Sequence, residues 1–161
     1  MARRTPGVPD FESLRAPKNR PHLLLNAVEF AVRTREDKGA SYDINTGEFL
    51  EGGKQDTYVI GGEPDTEGTK IPEERVPGRG VSVGEAATHI EKVRQATGMR
   101  PDALAGSWYE PKKDQTVLDA SRAFEVKDEA NAVGHQRGER EGWGNKQETT
   151  WKIRKPRGKK S

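Results

Sequence analysis

The sequence predicts an α+β fold, in which a small antiparallel sheet carries two helices on one face. Three observations support this prediction: a β-branched and aromatic run at residues 57–60, a capped amphipathic helix that begins at Ser82, and a strand-rich pattern from residue 104 onward. From residue 57 the predicted order is strand, helix, strand, strand, helix, strand. This order matches ferredoxin-like split βαβ folds, which are the most specific form of the prediction.

The first elements are a helix and a hairpin. Apolar side chains recur near the helical period in residues 22–36 and predict a helix, although the alternation over residues 28–34 leaves a strand as the alternative. Residues 43–50 predict a hairpin, because Asn, Thr and Gly47 suit a tight reversal. Residues 57–60 predict the next strand, since Thr, Tyr, Val and Ile all favour the extended backbone.

A long loop and the clearest helix follow. Residues 63–80 are rich in Pro, Gly and charge and predict a loop, whose length is typical of functional or mobile segments. Ser82 and Glu85 form a capping box at the start of the helix, and Gly98 stands where a left-handed cap would end it.

The remainder of the chain predicts three strands and a helix. Residues 104–109 and 116–119 predict two strands joined by a charged turn. Asp128 is the predicted N-cap of a short helix that ends at Gly138. Residues 149–153 predict the last strand.

Composition indicates one domain with a thin core. Hydrophobic residues make up 30% of the 161 residues and charged residues 34%, so little apolar area is available for a second core. There is no cysteine, which excludes disulfides, thiolate zinc sites and a cysteine nucleophile. No apolar run approaches the roughly 20 residues of a membrane-spanning helix. We therefore expect a soluble protein with a single α+β domain over residues 22–151.

Basic segments flank this predicted domain. Residues 1–21 contain four prolines and predict an extended basic arm, which Phe11 and Leu14 would pin to a surface. This arm has a net charge of +3 and the tail at residues 152–161 has +6, whereas residues 22–151 have −7. Such ends favour an acidic protein face or non-specific, salt-sensitive contact with nucleic acid. The predicted binding residues in them are Arg3, Arg4, Arg154, Lys155, Arg157, Lys159 and Lys160.

Few residues form a pattern that points to catalysis. Asp102 after a proline, followed by Glu125 and Lys127, imitates the metal-dependent nuclease pattern in which two carboxylates hold magnesium and a lysine steadies the attacking water. In a chain this rich in charge, a solvated turn explains the same residues. The three histidines are scattered without metal-ligand spacing, so we expect neither a metal nor another cofactor.

The three tryptophans hold much of the apolar area in this polar chain. On strands, Trp108 and Trp151 would pack beneath the helices. Trp143 lies between two glycines and is a candidate exposed binding anchor.

A set of short motifs resembles a small module of uncharacterised proteins from tailed bacteriophages of actinobacteria, also found in phage polyvalent proteins. The module has a Trp hairpin, an LDxS strand end and a short helix that begins with an acidic residue and alanine. The matching positions are 106–111, 117–121 and 128–130, with upstream similarity at 27–30 and 41–47. The resemblance implies a phage protein and supplies no catalytic residues.

These observations predict a non-enzymatic bacteriophage accessory or virion-associated protein that docks on a virion or host protein through its arms. The expected location is the host cytoplasm or the virion. The alternative is a divalent-metal-dependent nuclease or a non-specific nucleic-acid-binding protein.

Overall fold

The computed structural model describes residues 23–37 and 39–156, in which three helices pack on a seven-stranded antiparallel sheet. The helices are α1 (Leu23–Glu36), α2 (Val83–Thr97) and α3 (Lys127–Gln136). The strands are β1 (Gly39–Asp43), β2 (Tyr58–Gly61), β3 (Glu74–Pro77), β4 (Ala103–Glu110), β5 (Gln115–Phe124), β6 (Glu141–Gly144) and β7 (Thr149–Lys152). The predicted α+β class is confirmed.

The strand order is β1-β4-β5-β2-β6-β7, and β3 pairs with β5 beside β2. Helix α2 connects β3 to β4, which pair with opposite edges of β5. Strand β2 pairs with the same edge of β5 as β3 does. Helix α3 links β5 to β6, which flank β2. Each helical connection thus joins strands that are separated by another strand, which is the split βαβ arrangement.

Helix α1 confirms the helical reading of residues 22–36. Its buried side chains are Ala27, Phe30 and Thr34, which follow helical spacing. The alternating strand reading required Val28 and Val32 to share a face with Phe30, but both valines are exposed.

Helix α2 begins and ends as its sequence predicts. Ser82 and Glu85 form the complete capping box, with Ser82 Oγ accepting from the Glu85 N–H at 3.0 Å. Gly98 ends the helix at φ 61°, in the left-handed region. The side chains that α2 buries are Ala86, Ala87, His89, Ile90, Val93 and Thr97.

A hydrophobic core lies between the helices α1 and α2 and one face of the sheet. Ala103 and Ala105 on β4, and Leu118 and Ala120 on β5, contribute the sheet side of this core. Because strand residues alternate between faces, Leu104 and Val117 point to the opposite face, and both are fully buried there.

This opposite face is concave, because the sheet curves strongly. The N–H of Leu50 bonds to Ser41 on β1 at 2.9 Å, so Leu50 lies outside one end of the strand order. The next residue, Glu51, accepts a hydrogen bond from the side chain of Asn145, which follows β6, at 2.9 Å. In a flat sheet five strand spacings, about 24 Å, would separate these positions. The sheet therefore curves away from the helices and encloses Leu104 and Val117.

Two predictions about the loop and the last helix are corrected. The segment 63–80 contains strand β3, whose charged sequence and terminal proline hide its extended backbone. Its pairing partner is β5, which is distant in sequence. Asp128 is not the N-cap of α3: that position is Val126, without a side-chain cap, and Asp128 lies in the first helical turn. There a carboxylate interacts favourably with the helix dipole.

The predicted hairpin after β1 is present, with Gly47 at φ 75° in its turn and a bridge between Tyr42 and Phe49. Its return arm is this single bridge and not a strand. Strand β6, which contains Trp143, was missed because its two glycines are typical of turns.

Gly142 on β6 is expected to tolerate no side chain. A Cβ there would collide with the indole of Trp151. This indole lies edge-on to Tyr58 at 5.8 Å and its N–H donates to Asn131 at 3.3 Å, so it cannot easily move. We expect Gly142→Ala to lower the free energy of unfolding by about 1–3 kcal/mol, measured by urea denaturation.

Gly84→Ala is the matched control, because a Cβ at this helical glycine meets only Ser82 Oγ at 3.9 Å. It should stabilise the protein by about 0.5–1 kcal/mol, since alanine favours the helix. Equal effects of the two substitutions would contradict the packing of Trp151 on Gly142.

Candidate functional site

Helix α1 presents an apolar stripe to solvent. Leu24, Leu25, Val28 and Val32 are 41%, 64%, 41% and 47% exposed. On a helical wheel they lie within about 100° of one another, opposite the buried face that contains Phe30. We call these four residues the α1 stripe. The stripe was not predicted, because apolar residues on both faces of α1 leave the buried face undecided in the sequence.

The α1 stripe is the only cluster of exposed large aliphatic residues within the described part of the chain. The other exposed large apolar side chains are Val83, Trp108 and Val126, which lie on separate elements. Single exposed apolar residues are normal, whereas a contiguous apolar surface is typical of an interaction site. The stripe is therefore the candidate binding surface of the described body.

Helix α1 also carries charged residues. Arg33 donates to Glu29 at 2.8 Å and to Glu51 at 2.5 Å, so its guanidinium is held beside the hairpin. The hydrogen bond to Glu51 is the main cause that raises the pKa of Arg33. Arg35, in the last turn, is exposed. The basic segment 1–21 precedes the helix in sequence.

The β4–β5 hairpin contains a carboxyl group with an unusual pKa. Asp119 faces Gly106 across the two strands and its side chain lies over that glycine, where a Cβ would collide with it. Burial, and secondarily the negative charge of Glu73, raise the pKa of Asp119 to about 7, while a hydrogen bond from the Trp108 indole opposes the rise.

The geometry does not give Asp119 a histidine partner. His89 lies on the helix side of the sheet, where its Nε2 is 2.8 Å from the backbone oxygen of Asp119. The Asp119 carboxyl points to the concave side, so the imidazole and the carboxyl are on opposite faces of β5. Burial lowers the pKa of His89, which is therefore neutral at pH 7. A catalytic His–Asp pair is excluded at this position.

A second buried carboxylate ties three elements together. Glu63 is fully buried and accepts hydrogen bonds from Arg100, Arg122 and Arg137. Arg122 and Arg137 each bond to Oε2, at 3.0 and 3.3 Å. Arg100 follows the C-terminus of α2, and Arg137 is the C-cap of α3. Two helix C-termini add negative potential to that of the single carboxylate, so three cations can be accommodated. This arrangement is structural.

The three residues of the nuclease hypothesis lie at the surface. Asp102 is exposed in the turn before β4 at φ 66°, and Glu125 is exposed after β5. The ammonium of Lys127 lies 5.5 Å from the centre of the Trp151 ring. Among the described residues no group of three or more His, Cys, Asp or Glu side chains could hold a metal ion.

The other predicted binding residues have different placements. Trp143 is partly buried in β6, where it pairs with Val59 and Thr150. Arg154 and Lys155 are exposed, and the backbone of Arg154 is held by Asn131 at 2.8 and 3.2 Å. Five predicted residues, and the anchors Phe11 and Leu14, lie outside the described residues. Those five are Arg3, Arg4, Arg157, Lys159 and Lys160.

In the parts of the chain that the structure describes, every helix is too short or too polar to cross a membrane. Comparison of the chain with protein families, with curated proteins and with solved structures finds no match.

Proposed function

We propose that this is a non-enzymatic protein that docks on a protein partner through the α1 stripe, assisted by its basic terminal segments. The observation that carries the proposal is the exposure of four large aliphatic side chains on one face of a helix whose other face is fully buried. Leaving that apolar area in water has a cost that binding would remove.

Charge supports the choice of a protein partner. The segments 1–21 and 152–161 are basic, and the first of them leads directly into α1. A partner with an apolar surface and an excess of negative charge would match both features. The resemblance of short sequence motifs to phage modules extends the proposal to an accessory or virion-associated protein of a bacteriophage.

Val28→Glu is expected to abolish docking without unfolding the protein. It places a charge in the middle of the stripe, where desolvation on binding costs several kcal/mol, but in the free protein that side chain meets water. Full-length wild-type and variant proteins would be used as baits in a host-cell lysate and the captured proteins quantified by mass spectrometry. We expect a loss of about tenfold or more for specific partners.

The control is Val126→Glu, which makes the same chemical change at a valine that is 49% exposed before α3. It should capture the same proteins as the wild type. Identical capture by all three baits would contradict docking through α1. Replacing Arg154 and Lys155 with glutamine should weaken capture mainly at low salt, because exposed charges act through screened attraction.

A further inference from the structure

We infer that the partner of the α1 stripe is a second copy of this chain, so that two α1 helices pack antiparallel about a twofold axis. This inference rests on the proposed use of the stripe as a docking surface and names its occupant.

The spacing of the stripe is self-complementary. Leu24, Val28 and Val32 form a row at i, i+4 and i+8, about 12 Å long, and rows of this type interdigitate in the commonest class of helix packing. An axis through Val28 places the two Val28 side chains against each other and sets Leu24 of each copy against Val32 of the other. Such an interface uses the same patch twice, as a closed dimer requires.

Charges on α1 do not oppose this pairing. Arg35 is a charged residue near the stripe, and in an antiparallel pair the two Arg35 residues stand at opposite ends, about 20 Å apart. Glu29 lies beside the row but already bonds to Arg33 of its own helix at 2.8 Å. The two Glu29 residues lie on the same side of the axis near Val28, and the ion pair of each with its own Arg33 offsets their mutual repulsion.

The uneven distribution of charge along the chain favours contact between two copies. Residues 22–151 have a net charge of −7, whereas residues 1–21 and 152–161 have +3 and +6. The basic segments of one copy would therefore attract the acidic body of the other. The overall charge of +2 gives little general repulsion between copies.

The test is the mass of the full-length protein in solution by analytical ultracentrifugation across a concentration series. We expect a monomer–dimer equilibrium that weakens with salt. Val28→Glu and Val28→Lys should each be monomeric, while an equal mixture of the two should dimerise, because the substituted side chains meet at the axis. Val126→Glu and Val126→Lys are the matched controls and should behave as the wild type.

A wild-type protein that stays monomeric at the highest soluble concentration would overturn the inference, as would a dimer that both Val28 variants retain. If the monomeric wild type still captures proteins that Val28→Glu loses, the docking function survives with a different partner. If the Val28 variants change neither mass nor capture, both fail.

Discussion

Replacing Glu63 with glutamine is expected to lower the free energy of unfolding by about 3–5 kcal/mol. The substitution keeps the shape of the side chain but leaves Arg100, Arg122 and Arg137 converging on a neutral group. Burial lowers the pKa of Arg137, the negative charge of Glu63 opposes this decrease, and the positive charge of Arg122 adds to it. The arginines therefore depend on the carboxylate of Glu63 to remain charged. Thermal denaturation at pH 7 should show the midpoint falling by roughly 10 °C or more.

Glu67→Gln is the matched control for this prediction. Glu67 is exposed in the same loop, so its substitution should change the free energy of unfolding by less than about 0.5 kcal/mol. A double variant that also replaces Arg100 with methionine should lose less than the sum of the two single losses, because it removes one unpaired cation. Equal midpoints for Glu63→Gln and Glu67→Gln would show that the cluster contributes nothing.

Asp119→Asn is expected to stabilise the protein at pH 8 by about 2–4 kcal/mol. The folded protein raises the pKa of Asp119 to about 7, so it binds this proton more tightly than the unfolded chain does. Above pH 7 the folded state must hold an ionised carboxyl in a poorly solvated site, and the unfolded state ionises it in water. Asparagine has the same shape and removes that cost.

The contribution of Asp119 to the free energy of unfolding depends on pH. Below pH 4 the carboxyl is protonated in both states and contributes no penalty. Between about pH 4 and pH 7 only the unfolded state ionises, so the contribution of Asp119 to stability falls with rising pH, and above pH 7 the full loss persists. The depressed pKa of His89 acts in the opposite direction, since it destabilises the fold only as pH drops below about 6.5.

The measurement is therefore the difference in free energy of unfolding between variant and wild type from pH 4 to pH 9, in which the His89 contribution cancels. We expect this difference to grow up to pH 7 and then to stay constant. Asp102→Asn, at an exposed aspartate whose left-handed backbone suits asparagine, should give a difference near zero throughout. A flat profile for Asp119→Asn would mean that its carboxyl is well solvated.

The elements with complete local signals were predicted correctly. Ser82, Glu85 and Gly98 define α2 through contacts within a few residues, and the run at 57–60 forms β2 because its residues favour the extended backbone. Strands β3 and β6 were missed because charge, proline and glycine weaken their local preference. They form because β5 and β2 offer unpaired backbone groups.

The candidate site was less accessible to sequence reasoning. Both faces of α1 carry apolar residues, and only packing against α2 and the sheet buries Phe30 and leaves Val28 exposed. Likewise the prediction that Trp108 packs beneath the helices is wrong, because on β4 it pairs with Val117 on the opposite, concave face of the sheet and is 39% exposed there.

The amino-acid sequence alone determined the α+β class, the capped helix, the order of the main elements and the uneven distribution of charge. Each of these depends on interactions between neighbouring residues or on composition. The tertiary structure decided which helix face meets water, which strands join the sheet edges, and that Glu63 gathers three arginines from distant segments. These features depend on contacts between residues far apart in the chain, whose energies appear only once the backbone has brought them together.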